Sequence, residues 1–274
     1  MKIALVQMEL KEKNHAGNTA HGLEMLETAA RKSDLAILPE IWTTGYSLGH
    51  LQEQAETMDS PLVKELQALA VRTNCDLIPG SVPMRWEDGK IYNTILAINR
   101  EGKIVSRYGK AHLFGMFNEE QFFASGHRFD VYELNGIKCG STACYDMRFP
   151  ELYRYLALKD AQLLVVPAEW PERRGYAWDI LSRARAIENH LFIATVNAVG
   201  TFKKDIFYGH SRLVDPNGFV VAEAGEGEEI VYADMDPSRS EETRRYLNSL
   251  QDVRLRISVP PFDDRKDVGK GAPR

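Results

Sequence analysis

The chain has 274 residues, 44% hydrophobic and 27% charged, with a formal net charge of −5 and three cysteines. That is ample apolar material for a sizeable core in one large domain or two small ones. An acid excess without any basic block argues against a nucleic-acid partner, and no apolar run is long enough for a membrane span. Three cysteines in so long a chain are expected to be thiols in a reducing cytoplasm, not a disulfide framework.

The opening MKIALVQMEL lacks a secretory leader's long apolar stretch and cleavage site and reads as a strand over 2–8. A helix is predicted over 19–32, with Leu23, Leu26 and Ala30 on one face. DLAILPE (34–40) is a continuous apolar run of the kind buried on both faces of a sheet. Residues 61–73 read as a helix, Pro61 suiting its first turn. CDLIPGSV and YNTILAIN follow as strands. IKCGSTA (137–143) is another strand, Pro150 opens a helix to about residue 159, and QLLVVPA is a further buried strand. A helix over 177–190 carries Ile180, Leu181, Ala184 and Ile187 on an apolar face wide enough for core packing. LFIATVNAV is a strand, SRLVDPNGFVVAEAG a hairpin around Pro-Asn-Gly, EEIVYADMD a last strand and 238–247 a last helix. The alternation is α/β, the strand count suggests two sheets, and no Pro/Gly/Ser-rich linker divides the chain. One domain is expected over 1–257, with a frayed, charged tail over 258–274.

Reactive groups in α/β proteins gather just past the carboxyl ends of strands. Three residue types fit that placement: Glu40 after LAILP, Lys110 after GKIVSRYG and Cys144 after IKCGSTA. Cys75 and Cys139 suit small buried hydrophobes. Cys144 stands at a strand–turn–helix corner, where a helix N-terminus lowers a thiol pKa, and it divides evenly between a buried filler and a nucleophile. Glu40 lies in PEIWTTGY, aromatic and small residues that suit the wall of a pocket around a general base. A papain-like pair would need a placed histidine; His112 and His210 are the candidates and are more naturally structural. No Cys-x-x-Cys, His-x-His or His-Glu-x-x-His supports a metal site, and no Gly-rich phosphate loop is present.

With the three residues placed, the chain resembles the nitrilase superfamily of carbon–nitrogen hydrolases. LPEIWTTGY looks like that family's glutamate motif, YGKAHLF its lysine motif and CYDMRFPELYR its cysteine motif, with RARAIENHLFIATVN and GHSRLVDPNGFV as further matching segments. The match runs in order from residue 1 to about 257. The resemblance implies a four-layer αββα sandwich, subunits paired through helices, and a Glu40–Lys110–Cys144 triad needing no metal or organic cofactor. It implies Glu119 (Glu120 adjoining) as a second glutamate that orients the amide nitrogen or holds Lys110 and Glu40 in register. It also implies an oxyanion site at Lys110 and the Tyr145 backbone N–H. Gly109 and Ala177 depart from the usual residues beside the lysine motif and Trp178, which bears on pocket shape.

The same triad would serve amide, nitrile or N-carbamoyl hydrolysis, and a catalytically silent scaffold subunit is the non-enzyme alternative. PAEWPERRGYAW (167–178) should form a loop at the pocket mouth. Arg173 and Arg174 there either pair with Glu169 and Glu172 or, for Arg174 beside Trp170, bind a substrate carboxylate bidentately. Relatives acting on ω-amides of dicarboxylates often carry an arginine near this point, so a short ω-amide acid is the expected substrate.

Overall fold

The computed structural model describes residues 1–247 and 249–255. The expected tail over 258–274 lies outside the described residues, as does most of RLRISVPPF, the segment expected to reach toward a neighbour. Among the described residues, seven strands form a first sheet in the order Glu229–Asp234, Lys2–Gln7, Leu35–Ile37, Asp76–Ile78, Ile91–Ile98 and Ser81–Arg85, with Ile104–Gly109 also paired to Ile91–Ile98. Six form a second: Val220–Glu223, Arg212–Val214, Phe192–Asn197, Leu163–Ala168, Ile137–Ser141 and Val131–Leu134. The middle of each sheet is parallel: Lys2–Gln7, Leu35–Ile37 and Asp76–Ile78 in the first, Ile137–Ser141, Leu163–Ala168 and Phe192–Asn197 in the second. Parallel strands bring their carboxyl ends to one edge, and the chain's reactive side chains follow those ends.

Side chains alternate across a strand, and that alternation builds the layers. Ile3 and Leu5 of the first sheet share a buried cluster with Leu163, Val165, Phe192 and Ala194 of the second, so the two sheets pack face to face. Ala4 and Val6 join a cluster with Leu26 and Ala29 of the helix His15–Ala30 and Leu66 and Leu69 of the helix Pro61–Thr73. Leu164 and Val166 pack with Leu152 and Leu156 of the helix Pro150–Ala157 and with Trp178 and Ala186 of the helix Gly175–Asn189. The result is helix, sheet, sheet, helix, the αββα sandwich that the motifs implied.

Local chemistry sets the element ends. The Ser60 hydroxyl accepts from the Val63 N–H at 3.5 Å, Pro61 sits at the first helical position, and Asn74 ends that helix in the left-handed region at φ 51°. The Asp215-Pro-Asn-Gly hairpin forms as expected: the Asp215 carboxylate accepts from the N–H groups of Asn217 and Phe219. The first helix starts at His15, four residues earlier than the apolar spacing predicts.

One helix is turned differently from its apolar pattern. On Gly175–Asn189 the buried stripe is Trp178, Ser182, Arg185, Ala186 and Asn189, while Ile180 and Ile187 stay about half exposed, at 50% and 49%. Polar side chains can face inward here because each has a partner. The Arg185 guanidinium donates to the Met147 carbonyl at 3.0 Å, the Asn189 amide to the Arg185 carbonyl at 3.0 Å and the Ser182 hydroxyl to the Asp179 carbonyl at 3.3 Å.

The turn Pro79–Ser81 anchors the loop that begins at Glu40. The Trp42 indole donates to the Pro79 carbonyl at 2.7 Å, and the Ile41 N–H donates to the Ser81 hydroxyl at 2.8 Å. Gly80 has φ +57°, and a Cβ there would stand 1.8 Å from the Pro39 carbonyl oxygen. Gly80→Ala must therefore displace the backbone just before Glu40. Strain in the left-handed region and overpacking together should lower unfolding free energy by about 2 kcal/mol or more in urea titrations. Wild-type stability in that variant would contradict the close approach.

Candidate active site

Glu40, Lys110 and Glu119 come from three separate stretches and meet in a fully buried cluster. The Lys110 ammonium donates to Glu40 Oε1 and to Glu119 Oε1, each at 2.8 Å. Glu40 Oε1 also accepts from the Asn93 side chain at 2.8 Å, and its Oε2 accepts from the Glu169 backbone N–H at 3.1 Å. Glu119 Oε1 accepts from the Tyr46 hydroxyl at 2.7 Å, and its Oε2 from the Phe114 N–H at 2.9 Å. Glu120 is exposed, so the geometry selects Glu119 as the glutamate beside the lysine. Three donors bind Glu119, the Lys110 ammonium among them.

Burial and these contacts together set the electrostatics. Burial alone would lower the Lys110 pKa, but Glu119 and Glu40 outweigh it and hold the ammonium charged. Burial pushes the Glu119 carboxyl upward against the pull of Lys110. The Cys144 thiol is pushed well above its ordinary value, by burial first and then by Glu40; Lys110 and the Glu169 backbone N–H act in the opposite direction. This corrects the expectation that a helix N-terminus would ease thiolate formation. Cys144 opens only a short 3₁₀ turn, Cys144–Arg148, and the α-helix begins at Pro150.

The backbone at the site is strained. Cys144 has φ +40° and Ile41, next to Glu40, φ +32°. Such conformations in non-glycine residues persist only where surroundings enforce them. At Cys144 the enforcement comes from Asp146, which is fully buried. Its carboxylate accepts from the Ala143 N–H at 2.9 Å and the Tyr108 hydroxyl at 2.5 Å, and from the His112 N–H at 2.9 Å. One side chain thus ties the lysine loop of the first sheet to the cysteine corner of the second. His112, with Nδ1 2.7 Å from Asp146 and its ring stacked on Phe149, is occupied in this bracket. His210 pairs with Glu223 at 2.9 Å. Each of the two histidines is thus held by a carboxylate.

A cleft opens beside Cys144, lined also by Tyr46, Phe114, Tyr145, Glu169, Trp170 and Arg174. Tyr145 packs its ring against Phe114 and Phe149. Trp170 is buried, donates its indole N–H to the Arg174 carbonyl at 2.8 Å, and carries the Arg148 guanidinium over its face at 4.9 Å. Arg173 pairs with Asp205 at 3.2 Å, not with Glu169 or Glu172. Arg174 stacks over Phe114 at 5.2 Å, and its buried Nη1 has no hydrogen-bond partner among the described residues. Gly109 leaves space that its aromatic neighbours fill: a Cβ there would stand 3.2 Å from both Trp86 and Tyr92. Sequence reasoning missed Asn93, Tyr46, Asp146, Arg148 and Glu169 as parts of the site. CYDMRFPE did contain two of them, and PAEWP a third, directly after a buried strand.

Two sheets between helix layers, with a buried Glu–Lys–Glu cluster beside a strained cysteine at the strand ends, define a nitrilase-type fold. The model of the carbon–nitrogen hydrolase family matches residues 2–245, and the chain belongs to that family. Among its relatives are the 2-oxoglutaramate amidase of Bacillus subtilis (strain 168), 36% identical over 97% of this chain and 98% of that protein, and the omega-amidase NIT2 of Homo sapiens, 31% identical over 90% and 92%. The structure is similar to that of XC1258 from Xanthomonas campestris, a CN-hydrolase superfamily protein, with TM-score 0.87 and 33% identity over 94% of this chain and 98% of that one. This protein is a carbon–nitrogen hydrolase.

Access separates the three thiols. Cys144 borders the cleft, whereas Cys75 and Cys139 have no exposed surface. Limited iodoacetamide treatment of the folded protein, read by peptide mass spectrometry, should label Cys144 first. Earlier labelling of Cys75 or Cys139 would contradict this account of the cleft.

Proposed function

We propose that this hydrolase cleaves the terminal amide of a short dicarboxylic acid monoamide to the diacid and ammonia, through a thioester on Cys144. The carrying observation is the unpartnered Arg174 Nη1 in the cleft that Cys144 also borders, with the Arg148 guanidinium at the same mouth. A cation with no ion pair among the described residues, in a partly buried place, suits an anionic ligand, and a guanidinium fork suits a carboxylate. Relatives called 2-oxoglutaramate amidase and omega-amidase support the same substrate class.

In this reading Cys144 is the nucleophile and Glu40 the base. Because the thiol is held protonated, no thiolate waits in the resting site; the proton passes from Sγ to Glu40 as the S–C bond forms. The carbonyl electrons move to oxygen, which is met by the Lys110 ammonium and the Tyr145 backbone N–H. As the tetrahedral species collapses, Glu40 returns the proton to the departing nitrogen, the C–N bond breaks and ammonia leaves. Water then attacks the thioester, gives a proton to Glu40, and the acid is released with the Cys144 thiol restored. Glu119 acts through Lys110, which it holds, while the Tyr46 hydroxyl donates to Glu119. Three free, buried thiols support a reducing, cytoplasmic setting, and among the described residues no helix is long and apolar enough to cross a membrane.

Arg174→Ala should raise KM for succinamate and 2-oxoglutaramate by about 10–100-fold, as expected for a lost charge-assisted pair, and change KM for propionamide far less. An equal effect on acidic and neutral amides would count against carboxylate binding, and a wild-type preference for propionamide or a nitrile would refute the substrate class.

The oligomer proposed with this activity is a homodimer through the outer face of Gly175–Asn189. Ile180 and Ile187 are half exposed there, Phe219 of the adjoining hairpin is 70% exposed, and Gly218 packs against Ile187. An apolar helix face of this kind is a feature of subunit contacts. Light scattering at micromolar concentration should give twice the chain mass, and Ile180→Glu should shift the protein toward monomer. A monomeric wild type would end the dimer reading.

A further inference from the structure

Glu169 follows the strand Leu163–Ala168, is 1% exposed and borders the cleft beside Cys144. The three carboxyl groups of the site differ in what they have left to offer. A carboxylate has about four acceptor positions. Glu40 uses two on Oε1 and one on Oε2, for Lys110, Asn93 and the Glu169 N–H. Glu119 likewise uses two on Oε1 and one on Oε2, for Lys110, Tyr46 and the Phe114 N–H. Neither side-chain oxygen of Glu169 has a hydrogen-bond partner among the described residues. Neither neighbouring arginine serves it, since Arg173 is engaged by Asp205 and Arg174 lies on Phe114. A buried acceptor left empty is costly, and folds keep one where another molecule completes it.

We propose that Glu169 is a specificity residue that accepts one N–H of the substrate's primary amide, so that the site selects –CONH₂ over the matching ester. The chain itself dictates the placement. The Glu169 backbone N–H reaches Glu40 and acts on Cys144, so its side chain starts beside the reacting atoms. It runs toward Gly45, whose missing Cβ would stand 3.7 Å from Oε1. With the amide carbon at Cys144 and its oxygen toward Lys110, the nitrogen carries two N–H groups. Glu40 Oε2 has one position left, which the thiol proton of Cys144 takes, and Glu169 is empty for an amide N–H. Esters and nitriles bring no such donor, so for them the Glu169 acceptor stays unmet, the arrangement that gives the steepest discrimination. Burial pushes the Glu169 carboxyl well above the carboxylate range. A carboxyl raised in this way repels an anionic substrate less than a free carboxylate would.

The inference rests on the proposed hydrolysis at Cys144, and the test separates the two. kcat/KM is measured for wild type, Glu169→Met and Glu169→Gln on succinamate against monomethyl succinate, and on propionamide against methyl propionate. The Met variant, close in shape but without side-chain oxygen, should lower the amide-to-ester ratio by about 10–100-fold, the effect of one unmet buried hydrogen bond. Gln, which restores a carbonyl acceptor, should bring the ratio back to within about threefold of wild type. Equal losses on amide and ester in the Met variant would mean that Glu169 only packs, and an unchanged ratio would mean that it does not touch the amide; either overturns the proposal. If Met disrupts folding, a Gln variant whose ratio falls as far as about 10-fold overturns it equally. A wild type preferring propionamide to succinamate would defeat the ω-amide reading alone, since the neutral pair still reports on Glu169. A wild type that cleaves neither amide would defeat both.

Discussion

The ammonium of Lys110 is the group around which the rest of the site is arranged. It has no exposed surface, and a charge so placed is tolerated only with close counter-charges and satisfied donors. Two carboxylates at 2.8 Å supply the counter-charges and satisfy two of its three donors. They in turn need donors of their own, and Asn93, Tyr46, the Phe114 N–H and the Glu169 N–H provide them. The network draws on the glutamate loop, the strand Ile91–Ile98, the lysine loop and the strand end at Ala168. Removing one member would leave a neighbour buried and unmet, so the network is rigid, as the proposed proton acceptor and oxyanion donor require.

That network also explains why two sheets are needed. Glu40, Lys110 and Asn93 belong to the first sheet and its loops; Cys144 and Glu169 come after strands of the second. The face-to-face core of Ile3, Leu5, Leu163, Val165 and Phe192 fixes the distance between them. Asp146 then fixes the register, binding Tyr108 and His112 on one side and Ala143 on the other. The strain at Cys144 and Ile41 is held between these two anchors.

The layers, and the places of Glu40, Lys110 and Cys144 just past strands, are legible in the sequence because both are local signals. Continuous apolar strands, a reactive side chain just past each and a Ser-Pro helix start are readable within about ten residues. The features that are not legible depend on distant partners. Asn93 looks like any polar residue in a strand until Glu40 stands beside it. Glu169 looks like a loop acid beside two arginines until Arg173 is seen to face Asp205. Helix Gly175–Asn189 misleads for the same reason: its apolar residues mark a face, but Arg185 and Asn189 take the buried side because Met147 and their own turn supply partners. Helix position suggests a lowered Cys144 pKa, whereas burial and Glu40 dominate it.

Charge changes sign along the cleft, and this gives the proposed substrate a direction. At the floor Glu169 borders the cleft, and its N–H meets the buried Glu40–Lys110–Glu119 cluster; the guanidinium groups of Arg148 and Arg174 line the mouth, over Trp170 and Phe114. A carboxylate pushed to the floor would meet Glu40 and Glu119 in a medium too dry to screen them. An amide is uncharged, donates to carboxylates and accepts from Lys110, so it loses nothing there. A molecule with an acid at one end and an amide at the other therefore has one favourable orientation, amide inward and acid at the arginines. The diacid product has no such orientation. Once the amide has become a second carboxylate, the floor that favoured the substrate repels it, and the same charges that orient binding favour release.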